Sequence, residues 1–224
     1  LCDEGFVMTE QNFEAMRRAM VASQLRTNAV SDQRVVEAMD SVPREAFVPA
    51  DRAALAYVDT PVPLGNGRAL NPPMVTGRLL SEAGVMSSDK VLLIGAATGY
   101  AAAVLDRLAG RVVAVESDTE LAARAATALA YLPNVQLVTG ALDAGHTAGA
   151  PYDLLFIDGA VEQVPESLIR QLAPDGRIAT ALVDNGVTRL AIGRCAGDGL
   201  GFDIFLDAEA VVLPGFARPK PFAF

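Results

Sequence analysis

Apolar residues recur along this chain at two spacings, and the change from one to the other divides it. Residues 9–28 carry Phe13, Met16, Met20 and Val21 on one face, which predicts a helix. A second helix is expected over 32–40, with Val35, Val36 and Met39 inward and Ser31 or Asp32 as cap. Pro43 suits the first turn of another short helix, where its missing N–H needs no partner. Residues 57–74 are rich in Pro and Gly and read as a long irregular segment, of the kind that lines sites on a rigid core. A further helix is expected over 74–83.

From Val91 the pattern becomes strand and helix in alternation. VLLI at 91–94 is a short, wholly apolar run, as a parallel strand covered on both faces would be. An alanine-rich helix to about 109, a strand at 111–116, a helix to about 132 and a strand at 135–138 follow. Ser117 and Glu120 have capping-box spacing at the start of that second helix. LLFI then ends in a strand at Asp158, a helix is expected over 165–172, and a strand over 177–183. Two antiparallel edge strands are expected near 202–206 and 208–213, and the prolines beyond 214 predict an irregular wrap. The alternation implies an α/β fold with a mostly parallel twisted sheet and helices on both faces. Residues 1–224 read as a single domain, with a helical and loop cap region at 9–83 and an α/β core with C-terminal strands at 89–224.

Composition narrows the possibilities. The chain has 224 residues, 51% hydrophobic and 20% charged, as a folded globular protein does. A formal charge of -9 argues against nucleic acid as partner. No apolar run reaches membrane-spanning length, and residues 1–7 lack the features of a signal peptide, which makes Met8 a candidate start. Cys2 and Cys195 give no disulfide framework, so a reducing cytoplasmic setting is expected, with Cys195 buried or inert rather than catalytic. The single histidine, His146, is expected to face solvent, and no Cys/His metal pattern is present.

The chemical cue is the strand–turn–helix unit at 91–109. Gly95 and Gly99 allow a sharp turn and close backbone approach to a ligand. Glu116 ends the next strand 21 residues after Gly95, where a carboxylate can accept from a ribose diol. The dinucleotide fingerprint would need glycine where Ala97 and Tyr100 stand. The pattern therefore favours S-adenosylmethionine, which has no pyrophosphate to seat. Asp158, at a strand end, is a candidate for the cofactor amino group or the acceptor. Asn71 is a candidate for orienting acceptor or cofactor, Arg68 for anchoring a carboxylate, and Tyr100 for packing beside the cofactor.

Five segments resemble the protein-L-isoaspartate O-methyltransferase family: MVASQLR at 20–26, VVEAMDSVPREAFVP at 35–49, AYVDTPVPLGNG at 56–67, VLLIGAATGYAAAVLDRLAG at 91–110 and PYDLLFIDGAVEQVPESLIRQLAPDGR at 151–177. The resemblance implies a class I methyltransferase (Rossmann-like) fold. It also implies methyl transfer from S-adenosylmethionine to isoaspartyl carboxylates of damaged proteins, without a metal. The implied cofactor residues are Gly95, Ala97, Gly99, Glu116, Ala141 and Leu142. Asn71 and Asp158 are implied as catalytic, and Arg68 and Asn71 as substrate-binding. The chain departs from the family pattern at Leu93, where an acidic residue is usual, and at Ala97, where the family has glycine. It departs again at Ala69–Pro73, which replaces a Thr-Ile-Ser-Gln-Pro type segment, and at Gly140-Ala141-Leu142, which replaces Gly-Asp-Gly. The departures keep two alternatives in view: a methyltransferase with a non-protein acceptor, and a catalytically inactive regulatory or interaction domain.

Overall fold

The computed structural model describes residues 12–196 and 199–218, with the side chains of 195 and 196 excluded. The expectations for Cys2, Met8, the start of the first helix, the Cys195 side chain and the tail from 219 lie outside the described residues.

Helix α1 (Phe13–Met20) begins at Asn12, whose Oδ1 accepts from the Ala15 N–H at 3.0 Å. The single helix expected to 28 does not persist. A π-helical turn at Val21–Leu25 and a 3-10 turn at Arg26–Asn28 follow, ending at Ala29 with φ 57°. The wider turn lets Met20, Val21 and Leu25 all reach the core, which regular α-spacing from Met16 would not. Helix α2 (Gln33–Ser41) is capped by Asp32, not Ser31, through the Arg34 N–H. Pro43 leads into a 3-10 turn at Arg44–Phe47, and a second one covers Ala50–Leu55.

The Pro/Gly-rich segment is more regular than its composition suggests. It folds into a hairpin, β1 (Val62–Gly65) with β2 (Arg68–Leu70), closed by Asn66 and Gly67 at φ 51° and 71°. Two positive φ values are what a tight hairpin turn with native twist requires, and Asn-Gly supplies them. Helix α3 (Pro73–Ala83) follows, ended by Gly84 in the left-handed region.

The main sheet has the order β5-β4-β3-β6-β7-β8-β9. Strands β3 (Lys90–Ile94), β4 (Arg111–Glu116), β5 (Val135–Thr139), β6 (Tyr152–Val161) and β7 (Leu172–Asp184) are parallel. Strands β8 (Val187–Ala196) and β9 (Gly199–Asp207) complete an antiparallel meander. Helices α4 (Tyr100–Asp106), α5 (Thr119–Leu129) and α6 (Glu166–Ile169) are each shorter than expected. Helix α6 has little room because the chain enters β7 at Leu172, five residues before the predicted strand. Helix α5 is capped by Asp118, which accepts from the Glu120 and Leu121 N–H groups, so the Ser117–Glu120 box does not form. The expected strand at 202–206 lies within β9. The one expected at 208–213 is not a strand; it crosses the sheet end and makes a single bridge, Ala160 to Val212.

Two apolar clusters lie on the two sides of the sheet. The larger joins Met20, Leu25, Val35 and Leu79 to Val91, Leu93 and Val104. The smaller joins Ile94, Val115 and Ile157 to Leu142, Leu213 and Phe216. Among the described residues, no helix is long and apolar enough to cross a membrane.

Candidate active site

In an open α/β sheet the ligand crevice lies beyond the carboxyl ends of the strands, where the strand order reverses. Here that point falls between β3 and β6. Gly95, with φ 81°, follows β3, and the loop to Gly99 turns into α4. Both the Gly95 and Ala96 N–H groups donate to the Val115 carbonyl at 3.0 Å, holding the loop against β4. Ala97, where the resemblance expects glycine, adopts φ 51°. An L-residue held there costs roughly 1–2 kcal/mol, so the loop shape is kept at an energetic cost. Thr98 Oγ1 donates to the Phe47 carbonyl at 2.6 Å and ties the loop to the N-terminal region.

Glu116 stands at the end of β4, as expected, and is fully buried. Its Oε2 accepts from the Ala97 N–H at 2.6 Å and its Oε1 from the Ser117 and Asp118 N–H groups at 2.8 and 2.9 Å. The remaining capacity is taken by Arg68 from β2, which forks onto the two oxygens at 2.5 and 3.0 Å. An ionised carboxylate offers about four acceptor sites. Five N–H donors, with the Ser117 hydroxyl at 3.4 Å beside them, therefore saturate Glu116. Arg68, expected to anchor a substrate carboxylate, anchors this one. Asn66 in the same hairpin donates to Asp118 at 2.9 Å, so the hairpin docks on the β4–α5 turn through two side chains.

The structure brings the two separate candidates Asn71 and Asp158 together. Asn71 Nδ2 donates to Asp158 Oδ1 at 2.9 Å, and Asn71 Oδ1 accepts from the Val211 N–H at 2.8 Å. Both ends of the amide are thus engaged. Burial pushes the Asp158 carboxyl above the ordinary carboxylate range, against the pull of the Asn71 hydrogen bond and of Arg44 and Arg68. Arg44, fully buried, donates to the carbonyls of Ala56 at 2.7 Å and Asn71 at 2.5 Å and lies 4.5 Å from the centre of the Tyr100 ring. Tyr100 packs against Phe47 and Arg44, and burial raises the pKa of its hydroxyl.

The segment after β9 closes over the same place. Ala160 N–H donates to the Val211 carbonyl at 2.7 Å, and Leu213 N–H to the Ala160 carbonyl at 2.9 Å. Leu213 lies over Gly95 and Gly159. A Cβ at Gly95 would come within 2.9 Å of Leu213 Cδ1, and one at Gly159 within 2.6 Å of Leu213 Cγ. Sequence reasoning missed Arg44 and Leu213. The VPRE run contained Arg44, but nothing local marks it as buried. At the positions where the resemblance expects acidic residues, Leu93 is buried in the core and Ala141 is exposed; Leu142, where it expects glycine, packs in the smaller cluster. His146, expected at the surface, is half-buried, its N–H held by Gln171 Oε1 at 2.9 Å.

The glycine turn, the strand-end glutamate and the reversal in strand order define a class I methyltransferase fold. A search of solved structures agrees. A protein-L-isoaspartate O-methyltransferase superposes with TM-score 0.77 at 24% identity, over 89% of this chain and 66% of that one. A putative one from Plasmodium falciparum, in complex with S-adenosyl-L-homocysteine, gives 0.75 at 16%, over 91% and 99%. The family model described as protein-L-isoaspartate(D-aspartate) O-methyltransferase matches residues 15–193. Protein-L-isoaspartate O-methyltransferase 1 of Rhodopseudomonas palustris (strain HaA2) is 38% identical over 208 residues, 91% of this chain and 85% of the relative. That of Roseiflexus castenholzii is 36% identical over 206 residues, 91% and 94%. The chain belongs to the protein-L-isoaspartate(D-aspartate) O-methyltransferase family.

The backbone cradle suits a nucleoside methyl donor, but the side chains as arranged do not fit one. Glu116, the expected ribose acceptor, is saturated by backbone N–H groups and Arg68, and Leu213 stands over Gly95.

Proposed function

We propose that this chain is an S-adenosylmethionine-dependent O-methyltransferase acting on isoaspartyl carboxylates of damaged proteins. The observation that carries this reading is the family match across residues 15–193, at 38% identity to a relative of nearly equal span. The acceptor carboxylate is ionised at neutral pH, so no residue has to remove a proton from it. What the chain must supply is placement, and misplacement by about 1 Å can cost roughly a hundredfold in rate. Gly95, Ala97, Gly99, Glu116, Ala141 and Leu142 are the proposed donor residues. Asn71 and Asp158 are proposed on the acceptor side; Arg68, expected there too, is engaged by Glu116 in this arrangement. Residues 1–224 are proposed as one unit with 9–83 as its cap region, supported by the apolar cluster that joins Leu25 and Val35 to Val91 and Val104. A reducing cytoplasm is the proposed compartment, in keeping with two cysteines that form no disulfide framework.

The test compares an isoaspartyl peptide with its aspartyl twin, using labelled donor. Methyl transfer to the isoaspartyl peptide above its twin is expected. Equal counts on both peptides would reject the acceptor assignment. Asn71 favours a second reading, a different acceptor, because its amide is engaged at both ends by Asp158 and Val211.

A further inference from the structure

We infer that the chain closes its own donor crevice: Arg68 holds the carboxylate of Glu116 in the place of a ribose diol, and Leu213 covers Gly95 and Gly159, so that a nucleoside donor binds only when both give way. This inference rests on the proposed donor site and adds a competitor to it.

Three observations converge on one place. The first is the saturation of Glu116. The Ala97, Ser117 and Asp118 N–H groups are fixed by the fold, so Arg68 is the donor that can leave. Without its guanidinium, Oε1 keeps the Ser117 and Asp118 N–H groups while Oε2 keeps the Ala97 N–H alone, so an acceptor position opens on Oε2 for a ribose hydroxyl. The second is the origin of Arg68. It sits on a two-stranded hairpin outside the main sheet, which can shift without breaking a core ladder. The third is the closing segment. Its attachments at the crevice are the two Ala160 backbone bonds, which make the bridge to Val212, and the Val211 bond to Asn71. Asn71 follows Arg68 by three residues on the same stretch of chain, so the side chain that receives the segment is coupled to the hairpin that carries the arginine. Hairpin and segment are thus positioned to release together.

Occupancy then follows the population of the open form. If the crevice is open in a fraction f of molecules, the apparent dissociation constant is the intrinsic one divided by f. Weakening either closure raises f and tightens apparent binding.

The experiment titrates S-adenosylhomocysteine, whose sulfur is uncharged, so removing the Arg68 charge does not itself favour a cationic donor. Wild type, Arg68→Gln and Leu213→Ala are compared calorimetrically, with thermal melting to show that each is folded. Leu213 lies outside the strands and its side chain takes no part in the Arg68–Glu116 ion pair, so each variant loosens one closure directly. At least about tenfold tighter binding than wild type is expected in the folded variants, equivalent to f of about 0.1 or less in wild type. Wild-type binding as tight as that of every folded variant overturns the inference, as does absence of binding in all three. The same proteins are assayed on the isoaspartyl peptide. Tighter donor binding without methyl transfer leaves the closure standing and rejects the proposed function. Transfer by wild type, with no gain in either variant, does the reverse.

Discussion

Asp158 is a carboxyl enclosed by protein, and its environment favours the neutral form. Burial raises its pKa, and the Asn71 hydrogen bond and the charges of Arg44 and Arg68 only partly oppose this. A carboxyl whose folded value lies above its unfolded value supports folding below the unfolded value and stops doing so as pH rises through the folded one. Wild type should therefore lose an increment of stability as pH climbs above the ordinary carboxylate range. Asp158→Asn keeps an oxygen to accept from Asn71 and cannot titrate. Its melting temperature should lack that decline, and parallel pH profiles for the two proteins would refute the account. Asn71 and Asp158 were each legible as candidates, one in the suspect loop and the other at a strand end, but their hydrogen bond was not. The partner of Arg68 was not. Arg68 and Glu116 are 48 residues apart, and only the folded hairpin brings them together.

At the level of elements, the parallel strands were legible because burial on both faces leaves an unmistakable apolar run, as in Val91–Ile94. Strand β8 was not. Its Thr188, Arg189, Gly193 and Arg194 break the apolar pattern, and it is held instead by long ladders to both β7 and β9. The converse error arose at 208–213, where Val211, Val212 and Leu213 resemble a strand but seal the crevice. Helix α5 shows how local rules compete. Ser117 and Glu120 have the spacing of a reciprocal cap, yet Asp118 intercepts the Glu120 and Leu121 N–H groups, while Ser117 gives its own N–H to Glu116. Those hydrogen bonds, that from Leu121 first, lower the Asp118 pKa. Asp118→Ala should cost about 1 kcal/mol of stability, and Ser117→Ala should stay within about 0.5 kcal/mol. Denaturant unfolding of the two variants decides the assignment, and a larger loss at Ser117 would restore the box.

Across the whole molecule, the N-terminal helices and the α/β layers share a core, and Arg44 joins them at the site. It is fully buried and binds the carbonyls of Ala56 and Asn71, one on each side of the hairpin. That role was invisible in the sequence, since arginine is rarely buried without a partner. The far border of the sheet has a different consequence. Strand β9 is the last in the strand order and exposes Ile204. A strand in that position offers a row of backbone groups to any chain that reaches it. Its own Asp203 and Asp207, and the formal charge of -9, keep copies apart by mutual repulsion. The protection is colloidal, so it should fail as the charge is titrated away. Light scattering should rise as pH approaches the sequence pI near 4.6, and at a higher pH for Asp203→Asn than for wild type. Identical onset in the two would mean that self-association starts elsewhere. The guard on this edge is thus a property of the solution as much as of the fold: acid and salt both thin the barrier that keeps one sheet from extending into its neighbour.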